Sequence, residues 1–504
     1  MELSGPKWTW SRDEYVGVCI AGVLFLVWLF WEFYDDRRIP KGSLGYVPYF
    51  GETLEFLECP VQYTERRLKK YGKLFKGAFM GIRAVVSTDP EFSYARDTHG
   101  HDSFKISLPR SLRVMLGDTY NMSAEKAGLQ KLVHGILNSE GLKSLVKYID
   151  AIILQSLAQW EGKTVRVSTA CKKITRTVLL YITLGNDPAE GKIHDQIFNL
   201  IPIVTRAAVA VPIYFPGTKF YTGYQARLKI EKLIGRLVRR RTKASLEKPF
   251  GDSQNILDEL VRYKNSEGEP LNLKQICDVL CMLFFEAENP TAAAMTYTIK
   301  ELSDHLIVRQ AVMAECEAVE ARRFFPGLLT LAEVRNMRYI QNMLKETLRR
   351  YSIVPSTVRE AKEDVEIRGT LVPRGWFAVT MASNMHMNPE IWEEPDQYNP
   401  KRFQDSSPKP KNFTPFGVGP HMCPGKSLAE VMVSIFFYHL LHKYEWKLEG
   451  KFIGLKIEYG GFLPKPVVKE EVRITLNRRT RKIKKSVSVR RRPPPIWDMD
   501  ECKI

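Results

Sequence analysis

The sequence predicts a mainly α-helical protein with small β-sheets, arranged as one large domain behind an N-terminal membrane helix. Three observations predict this architecture. Apolar residues at helical spacing dominate the middle and the C-terminal third, strand-like stretches are short, and no internal repeat or low-complexity linker occurs between residues 40 and 470. Of the 504 residues, 44% are hydrophobic, which is enough for one core large enough to enclose a bulky ligand.

The individual elements follow from these patterns. The longest predicted helix covers residues 273–302, another helical pattern lies within 331–351, and a third covers 425–444. Short strands are predicted near 75–86 and 365–379, each with turn residues. Segment 198–226 is apolar and aromatic but contains three prolines, so it fits either a core element or a surface lobe that rests on a membrane.

The N-terminal segment predicts an uncleaved membrane anchor. Residues 15–31 carry no charge, and seventeen residues at helical rise span about 26 Å, close to the hydrocarbon thickness of a bilayer. Aromatic residues gather at the end of the span, and charged residues follow in place of a small-residue cleavage site. We therefore expect an anchor over residues 1–36, with a helix at about 15–34. More basic residues follow the span than precede it, which places the main domain in the cytosol.

Charge and cysteine content restrict the remaining properties. The formal net charge is +18, and nine basic residues without an acid lie between positions 478 and 492. The simplest interpretation is a disordered basic tail over residues 471–504, although anionic lipid or a redox partner would also suit it. Nucleic acid is disfavoured. The eight cysteines show no zinc spacing and are too few for a disulfide scaffold, so a reducing compartment fits best.

The strongest chemical signal lies at residues 412–429, which read NFTPFGVGPHMCPGKSLA. Phe416, Gly419, Cys423 and Gly425 have the spacing F-x-x-G-x-x-x-C-x-G. A thiolate that binds haem iron needs a tight loop whose backbone N–H groups donate to the sulfur, and glycines permit that close approach. A helix that begins near Gly425 directs its positive end toward the sulfur. An inert buried cysteine is the alternative, but the whole phrase is far more specific than a lone glycine motif.

This phrase resembles the haem-binding loop of the cytochrome P-450 superfamily. The resemblance covers nearly all of residues 38–470. It implies a cytochrome P-450 fold with one haem-thiolate catalytic domain over residues 37–470. It also implies haem b (iron protoporphyrin IX) as the cofactor, with Cys423 as the axial ligand to iron.

Further residues match the family in the expected order. Glu346 and Arg349 match its E-x-x-R motif, whose spacing of three places both side chains on one helix face. Arg402 matches the following P-x-R-F element. The resemblance implies that these three residues form a network that supports haem binding. It also implies that Arg359, in a strand-like segment, meets a haem propionate.

The sequence departs from the family pattern in the long central helix. The usual A-G-x-(D/E)-T-(T/S) is replaced here by residues 286–291, EAENPT, so Asn289 stands at the acid position and Pro290 at the threonine position. Glu288 and Thr291 lie one residue from the usual places. A one-residue bulge at the proline would restore them. On that basis Glu288, Asn289 and Thr291 are the predicted oxygen-activating residues.

Two propionate contacts also differ from the pattern. His421 stands where an arginine is common, and a partly charged histidine would be a weaker anchor. The W/H-x-x-x-R pattern of an early helix is missing, with Lys126 and Gln130 in the corresponding positions. We expect Lys126 to contact the haem without the bidentate fork of arginine. Phe416, Gly419 and Gly425 complete the predicted cofactor-binding set.

The resemblance implies a monooxygenase. Dioxygen would be the co-substrate, a small apolar compound would be oxidised, and NADPH would supply electrons through a cytochrome reductase. Segments GETLEF (51–56) and DVEIRGTLVPRGW (364–376) resemble the plant-type branch that acts on steroids and terpenoids. Substrate contacts are expected from residues 97–118, 198–226 and 284–294.

The predicted location is the endoplasmic reticulum membrane, with a single span in contact with lipid and a cytosolic catalytic domain. Two other functions remain open. The same fold could act as an isomerase or dehydratase without oxygen activation, which the Asn289–Pro290 pair favours. The chain could also be a non-catalytic haem- or lipid-binding protein.

Overall fold

The protein is described by a computed structural model that covers residues 36–43, 52–58, 60–79, 82–98, 101–107, 110–117, 126–208, 210–245, 255–265, 267–323, 327–404, 410–449, 457–460, 465–468 and 471–479, together with seven single positions between 16 and 26. Most of the predicted anchor and the basic run beyond residue 479 lie outside the described residues. Within the described ranges, no helix combines the length and apolar character needed to cross a bilayer.

Helices make up most of the described chain, as predicted. In chain order they are α1 Thr53–Glu58, α2 Pro60–Tyr71, α3 Pro90–Thr98, α4 Arg110–Leu116, α5 Lys126–Leu137, α6 Ser139–Ala158, α7 Val167–Leu184, α8 Gly191–Ala208, α9 Lys219–Ser245, α10 Ile256–Arg262, α11 Leu273–Asp304, α12 Leu306–Ala321, α13 Leu331–Asn336, α14 Arg338–Tyr351, α15 Ala382–His386 and α16 Lys426–Lys443. The three helical patterns predicted from the sequence correspond to α11, to the pair α13 and α14, and to α16.

The strands form small sheets, as predicted. They are β1 Leu74–Phe79, β2 Ile82–Ser87, β3 Phe104–Lys105, β4 Thr164–Arg166, β5 Thr357–Ala361, β6 Val365–Ile367, β7 Thr370–Val372, β8 Phe377–Thr380, β9 Tyr444–Leu448, β10 Ile457–Gly460, β11 Lys465–Val468 and β12 Arg473–Arg478. The largest sheet has the order β1-β2-β8-β5-β3. Its β2–β8 pairing is parallel and joins Ala84 to Phe377. Strand β8 pairs on its other side with β5, which carries Arg359, so the N-terminal hairpin lies one strand away from Arg359.

Helix α11 is the central element of the core. It begins with a capping box, in which the Asn272 side chain accepts from the Gln275 N–H and the Gln275 side chain accepts from the Asn272 N–H. It packs against α7, α14 and α16. The helix is α-helical from Leu273 to Asp304 despite Pro290, so the predicted one-residue bulge is wrong. Pro290 lacks an N–H and cannot donate to the carbonyl of Glu286, one turn earlier.

Segment 198–226 combines both alternatives that its sequence left open. Helix α8 continues through Pro202 and buries Ile201 and Val204 in the main core. The connection to α9 instead exposes apolar side chains, with Val211 at 72% and Phe215 at 67% accessibility. Both ends of the segment are therefore core, since Phe220 and Ala226 of α9 are also buried, and the connection between α8 and α9 is a surface lobe.

Candidate active site

A cavity of about 960 Å³ lies between α11, the start of α16, strand β5 and the loop that precedes α16. Its wall includes five of the predicted site residues on the loop and the strand: Phe416, His421, Cys423, Gly425 and Arg359. Asn289 and Thr291 of α11 also line it. The fold thus brings residues from three distant parts of the chain around one space.

The loop before α16 holds Cys423 in place through its own backbone. The Cys423 N–H donates to the carbonyl of Phe416 at 2.8 Å, and the Met422 N–H donates to the carbonyl of Gly419 at 3.0 Å. These bonds close a tight turn over residues 416–423. The accessible surface of Cys423 faces the cavity, so its sulfur is presented to whatever occupies that space.

The electrostatic surroundings of Cys423 favour a thiolate only when a cation is bound. Burial raises the pKa of the Cys423 thiol to about 11, and the negative charge of Glu286 on α11 also raises it. The backbone N–H groups of Gly425 and Lys426, at the start of α16, donate to the sulfur and oppose that increase. The predicted helix start therefore does direct donors at the sulfur.

Gly419 and Gly425 of the Cys423 loop differ in how much space their backbone leaves for a side chain. Gly419 has φ of +68°, and a methyl group there would lie 2.3 Å from the carbonyl oxygen of Asp97 on α3. No other residue fits without moving α3. At Gly425 a methyl group would lie 3.8 Å from the Cys423 sulfur, which is ordinary van der Waals contact. Close backbone approach therefore explains Gly419 but not Gly425.

Glu346, Arg349 and Arg402 meet in a buried network. Arg349 forms two hydrogen bonds of 2.8 Å to the two carboxylate oxygens of Glu346, and both side chains are fully inaccessible. Arg402 donates to Glu346 Oε1 at 3.1 Å, and the Asn399 N–H donates to the same oxygen at 3.0 Å. Arg349 and Arg402 also donate to carbonyl groups of residues 386–397. The network therefore fixes the segment between α15 and the Cys423 loop.

His386 connects this network to the Cys423 loop, and the sequence analysis did not identify it. Its carbonyl accepts from Arg349 at 3.0 Å, and its ring Nε2 accepts from the Thr414 N–H at 3.1 Å. Burial and the charge of Arg349 lower the pKa of His386 to about 3, so the ring is neutral and can accept that bond. Its Nδ1 lies 3.0 Å from the Ser352 hydroxyl. A single histidine in an ordinary helical sequence gave no signal of this role.

Arg359 provides a cation in the cavity wall with unused donor capacity. Its Nη1 donates to the carbonyl of Val358 at 2.9 Å, while its buried Nε has no hydrogen-bond partner among the described residues. Burial and the neighbouring Arg96 charge lower the pKa of Arg359 to about 10. A bound carboxylate would stabilise such a group.

Of the other predicted propionate contacts, the structure describes the side chain of His421 but not that of Lys126. His421 lines the same cavity from the 3₁₀ turn Gly419–His421, and Gln130 lines it from α5. Lys126 is the first residue of α5, but its side chain lies outside the described residues. A sulfur with two N–H donors, an under-satisfied arginine and a mostly apolar wall together fit an iron porphyrin that carries propionates.

Helix α11 presents a different acid to the cavity than the one predicted. Glu288 points away, and its carboxylate is paired with Arg176 of α7 at 2.7 and 3.0 Å. Asn289 and Thr291 line the cavity and Glu288 does not, so the prediction of Glu288 as a site residue is wrong. Glu286 lines the cavity instead. Helical periodicity could have indicated this, because residues 286, 290, 293 and 297 share a face and residue 288 is about 200° from residue 286.

Comparisons with known proteins identify the family. The family model described as Cytochrome P450 matches residues 40–467. The chain belongs to the cytochrome P450 family. Abscisic acid 8'-hydroxylase 3 of Oryza sativa subsp. indica is 32% identical over 431 residues, which are 84% of each chain. Abscisic acid 8'-hydroxylase 4 of Arabidopsis thaliana is 32% identical over 436 residues, 84% of this chain and 90% of the relative.

A solved structure shows the same fold. Retinoic acid bound cyanobacterial CYP120A1 superimposes with a TM-score of 0.74 and 24% sequence identity, over 87% of this cytochrome P450 and 99% of that chain. This confirms the predicted mainly helical fold, and the plant relatives confirm the predicted resemblance to the plant-type branch.

The predicted chemistry is confirmed at the family level. This cytochrome P450 is a haem-dependent monooxygenase that uses dioxygen and takes electrons from NADPH through a reductase. The relatives support neither the isomerase or dehydratase alternative nor the non-catalytic one.

Proposed function

We propose that this cytochrome P450 hydroxylates an apolar terpenoid in the cavity beside Cys423, with Cys423 as the axial ligand to haem iron. The observation that carries the proposal is the position of the Cys423 sulfur. It opens on the same cavity as α11 and accepts from two N–H groups at the start of α16. That arrangement suits a thiolate bound to a cation on the cavity side.

The cavity wall and the relatives support a terpenoid substrate. The wall is built mainly from aliphatic and aromatic side chains, among them Leu112, Leu283, Phe285, Ala293, Ile353 and Val354. Such a wall binds through burial of apolar surface, and a few polar groups fix the orientation. The plant relatives are named for hydroxylation of abscisic acid, a small terpenoid. We extend that substrate class, and not abscisic acid itself, to this chain.

The protein's part in the reaction is to bind, orient and control protons. When bound, the haem supplies the oxidising chemistry. Arg359, His421 and Lys126 would hold its propionates, and the network of Glu346, Arg349 and Arg402 would support the loop that carries the ligand. The apolar wall excludes water and holds the substrate. Thr291 is buried in the cavity wall and Asn289 lies two residues before it, so these two polar groups are placed to hold water and pass protons.

Exposed apolar side chains support attachment to the endoplasmic reticulum membrane. Val16, Ile20, Val23 and Leu26 are helical residues with 51–64% accessibility. The α8–α9 connection exposes a second apolar set, which includes Phe215. Both suit contact with lipid, with an anchor over 1–36, the catalytic domain in the cytosol and a basic tail near anionic headgroups. Strand β12 pairs with β4 and β9 and buries Ile474 and Leu476 in the main core, so the catalytic domain extends beyond the predicted boundary at residue 470, and residues 471–478 are not part of a tail. In a chain that starts at residue 37, where the proposed anchor cannot contribute, we expect a Val211→Ser/Phe215→Ser pair to reduce co-flotation with phospholipid vesicles, and unchanged flotation would contradict contact by the lobe.

The function is tested with the purified holoenzyme, a cytochrome P450 reductase and a panel of terpenoids that includes abscisic acid. We expect at least one terpenoid to shift the ferric spin state on binding and to yield a product one oxygen atom heavier, with both NADPH and dioxygen required. A product formed without NADPH and dioxygen would instead indicate isomerase or dehydratase chemistry.

In the same assay, Thr291→Ala should form less product per oxygen consumed, because it removes a polar group from the cavity wall. Unchanged coupling would exclude Thr291 from proton delivery.

A further inference from the structure

Two stacked tyrosines connect the cavity wall to the interior of the protein. Tyr297 belongs to α11 and lines the cavity, and Tyr351 is the last residue of α14. Their ring centroids are 4.4 Å apart and their planes differ by 3°. Both side chains are buried, with 0% and 3% accessibility. Two electron-rich rings therefore lie in direct face-to-face contact, and one of them forms part of the cavity wall.

The second tyrosine has a proton acceptor at its hydroxyl group. Tyr351 donates its O–H to the carboxylate of Glu301, a fully buried residue in the last turn of α11. Lys300 Nζ lies 3.1 Å from one Glu301 oxygen, and His305 Nδ1 lies 3.1 Å from the other. The His305 side chain is 37% accessible. The same His305 nitrogen lies 3.0 Å from the Glu301 backbone carbonyl, and Arg350 Nε lies 3.6 Å from Glu301 Oε1. A proton that reaches Glu301 therefore lies beside an imidazole ring that extends to the surface.

The surroundings control how Tyr351 can be oxidised. Burial and the negative charge of Glu301 raise the pKa of Tyr351, so the phenol stays protonated at neutral pH. If a buried phenol lost an electron but kept its proton, it would become a radical cation without a counter-ion, and such a charge is costly in a low dielectric. Loss of the proton to Glu301 in the same event avoids that cost. The hydrogen bond thus allows Tyr351 to be oxidised to a neutral radical.

Tyr297 is placed on the correct side of α11 to link Tyr351 to the cofactor space. It lies seven residues after Pro290 on the same helix face, a distance along the axis of about 10 Å at the α-helical rise. Leu344 and Leu348 of α14, on the same helix as Tyr351, also line the cavity. The stack therefore begins at the cavity and ends at a carboxylate.

We propose that Tyr297, Tyr351 and Glu301 form a relay that removes oxidising equivalents from the haem centre when no substrate reacts. In this step, one electron passes from Tyr351 through Tyr297 to the oxidised haem centre, which is reduced by one electron. The Tyr351 O–H bond breaks, the proton binds to the Glu301 carboxylate, and a neutral tyrosyl radical remains. A small thiol in solution then supplies one electron, becomes a thiyl radical and releases its own proton to water, while Glu301 returns its proton to the Tyr351 oxygen. The relay rests on the proposed haem binding at Cys423.

Stacked tyrosines also pack α11 against α14, so the test must separate redox chemistry from packing. Tyr351→Phe and Tyr297→Phe keep the rings and remove one hydroxyl group each. The matched control is Tyr181→Phe. Tyr181 is also paired with a tyrosine, Tyr148, at 4.6 Å and 31°, and neither ring lines the cavity. Thermal unfolding of all three variants reports any loss of packing.

The experiment treats the substrate-free ferric holoenzyme with hydrogen peroxide, followed by freeze-quenching and electron paramagnetic resonance. We expect a tyrosyl radical in the parent protein and in Tyr181→Phe, and loss of that signal in Tyr351→Phe. Tyr297→Phe should reduce its yield. Haem bleaching by peroxide should be faster in both relay variants than in the control. An unchanged radical and an unchanged bleaching rate in Tyr351→Phe would overturn the relay. The reduced carbonyl spectrum, recorded first, shows separately whether thiolate ligation is intact.

Discussion

Replacement of Cys423 by serine is expected to abolish the strongly red-shifted Soret band of the reduced carbonyl adduct, and with it all monooxygenase activity. The physical reason is the electron donation of a thiolate, which a serine hydroxyl cannot supply because it stays protonated. The two N–H donors at the start of α16 are arranged for an anion at this position. The measurement is the difference spectrum of the dithionite-reduced protein with carbon monoxide.

The fold should survive this substitution. The Cys423 side chain faces the cavity, and the bonds that close its loop come from the backbone. Far-ultraviolet circular dichroism of Cys423→Ser should therefore match that of the parent chain. Cys19→Ser is the matched control, since Cys19 is exposed and lies far from the loop in sequence. A red-shifted band that persists in Cys423→Ser would exclude Cys423 as the ligand.

Proton release offers a second check on the same group. With its pKa raised to about 11, the Cys423 thiol is protonated at neutral pH before iron binds. Ligation needs the thiolate, so haem uptake displaces this proton, as metal binding to thiols generally does. The negative charge of Glu286 further disfavours a thiolate at Cys423, because the two anions would share one cavity. Iron must therefore supply the positive charge that stabilises the thiolate.

Features encoded by neighbouring residues could be predicted from the sequence. The loop over residues 416–425 is such a case, because its glycines, its cysteine and the following helix are contiguous and their chemistry depends on spacing. The helices α11, α14 and α16 were also predictable, since each has a long run with an apolar face. The three-residue spacing of Glu346 and Arg349 was sufficient to place them on one face of α14.

Features that depend on tertiary contacts could not be predicted in the same way. The bond from Thr414 to His386 joins residues 28 positions apart, and no periodicity marks it. The β2–β8 register joins residues almost 300 positions apart. At Pro290 the local rule predicted a bulge, but packing of α11 against α7, α14 and α16 keeps the helix regular. Glu288 differs from its prediction for another reason: it lies about 200° around α11 from Glu286, so it pairs with Arg176 while Glu286 lines the cavity.

The largest effect on stability is expected at Glu346. Replacement by glutamine keeps the shape but removes the negative charge that faces Arg349 and Arg402. Loss of one partner in a fully buried ion pair costs roughly 3–5 kcal/mol, because the remaining charge is left uncompensated away from water. That is a large share of the roughly 5–15 kcal/mol by which a typical domain is stable. We therefore expect Glu346→Gln to unfold at much lower denaturant concentration and to retain little haem.

Arg349→Lys should show a similar but smaller loss, since lysine keeps the charge but cannot donate to both Glu346 oxygens and to the carbonyls of His386 and Pro395 together. The control is Glu140→Gln, which breaks an exposed pair with Lys143 and should change stability by less than about 1 kcal/mol.

Chemical denaturation followed by circular dichroism gives the free energies, and the pyridine haemochrome assay gives the haem content. If Glu346→Gln were as stable as Glu140→Gln, the buried charges would have to be neutralised by another group. If its stability fell but its haem content did not, the network would hold the fold together without supporting the Cys423 loop. A joint loss is expected because Arg349 binds the His386 carbonyl while the His386 ring accepts from Thr414 in that loop.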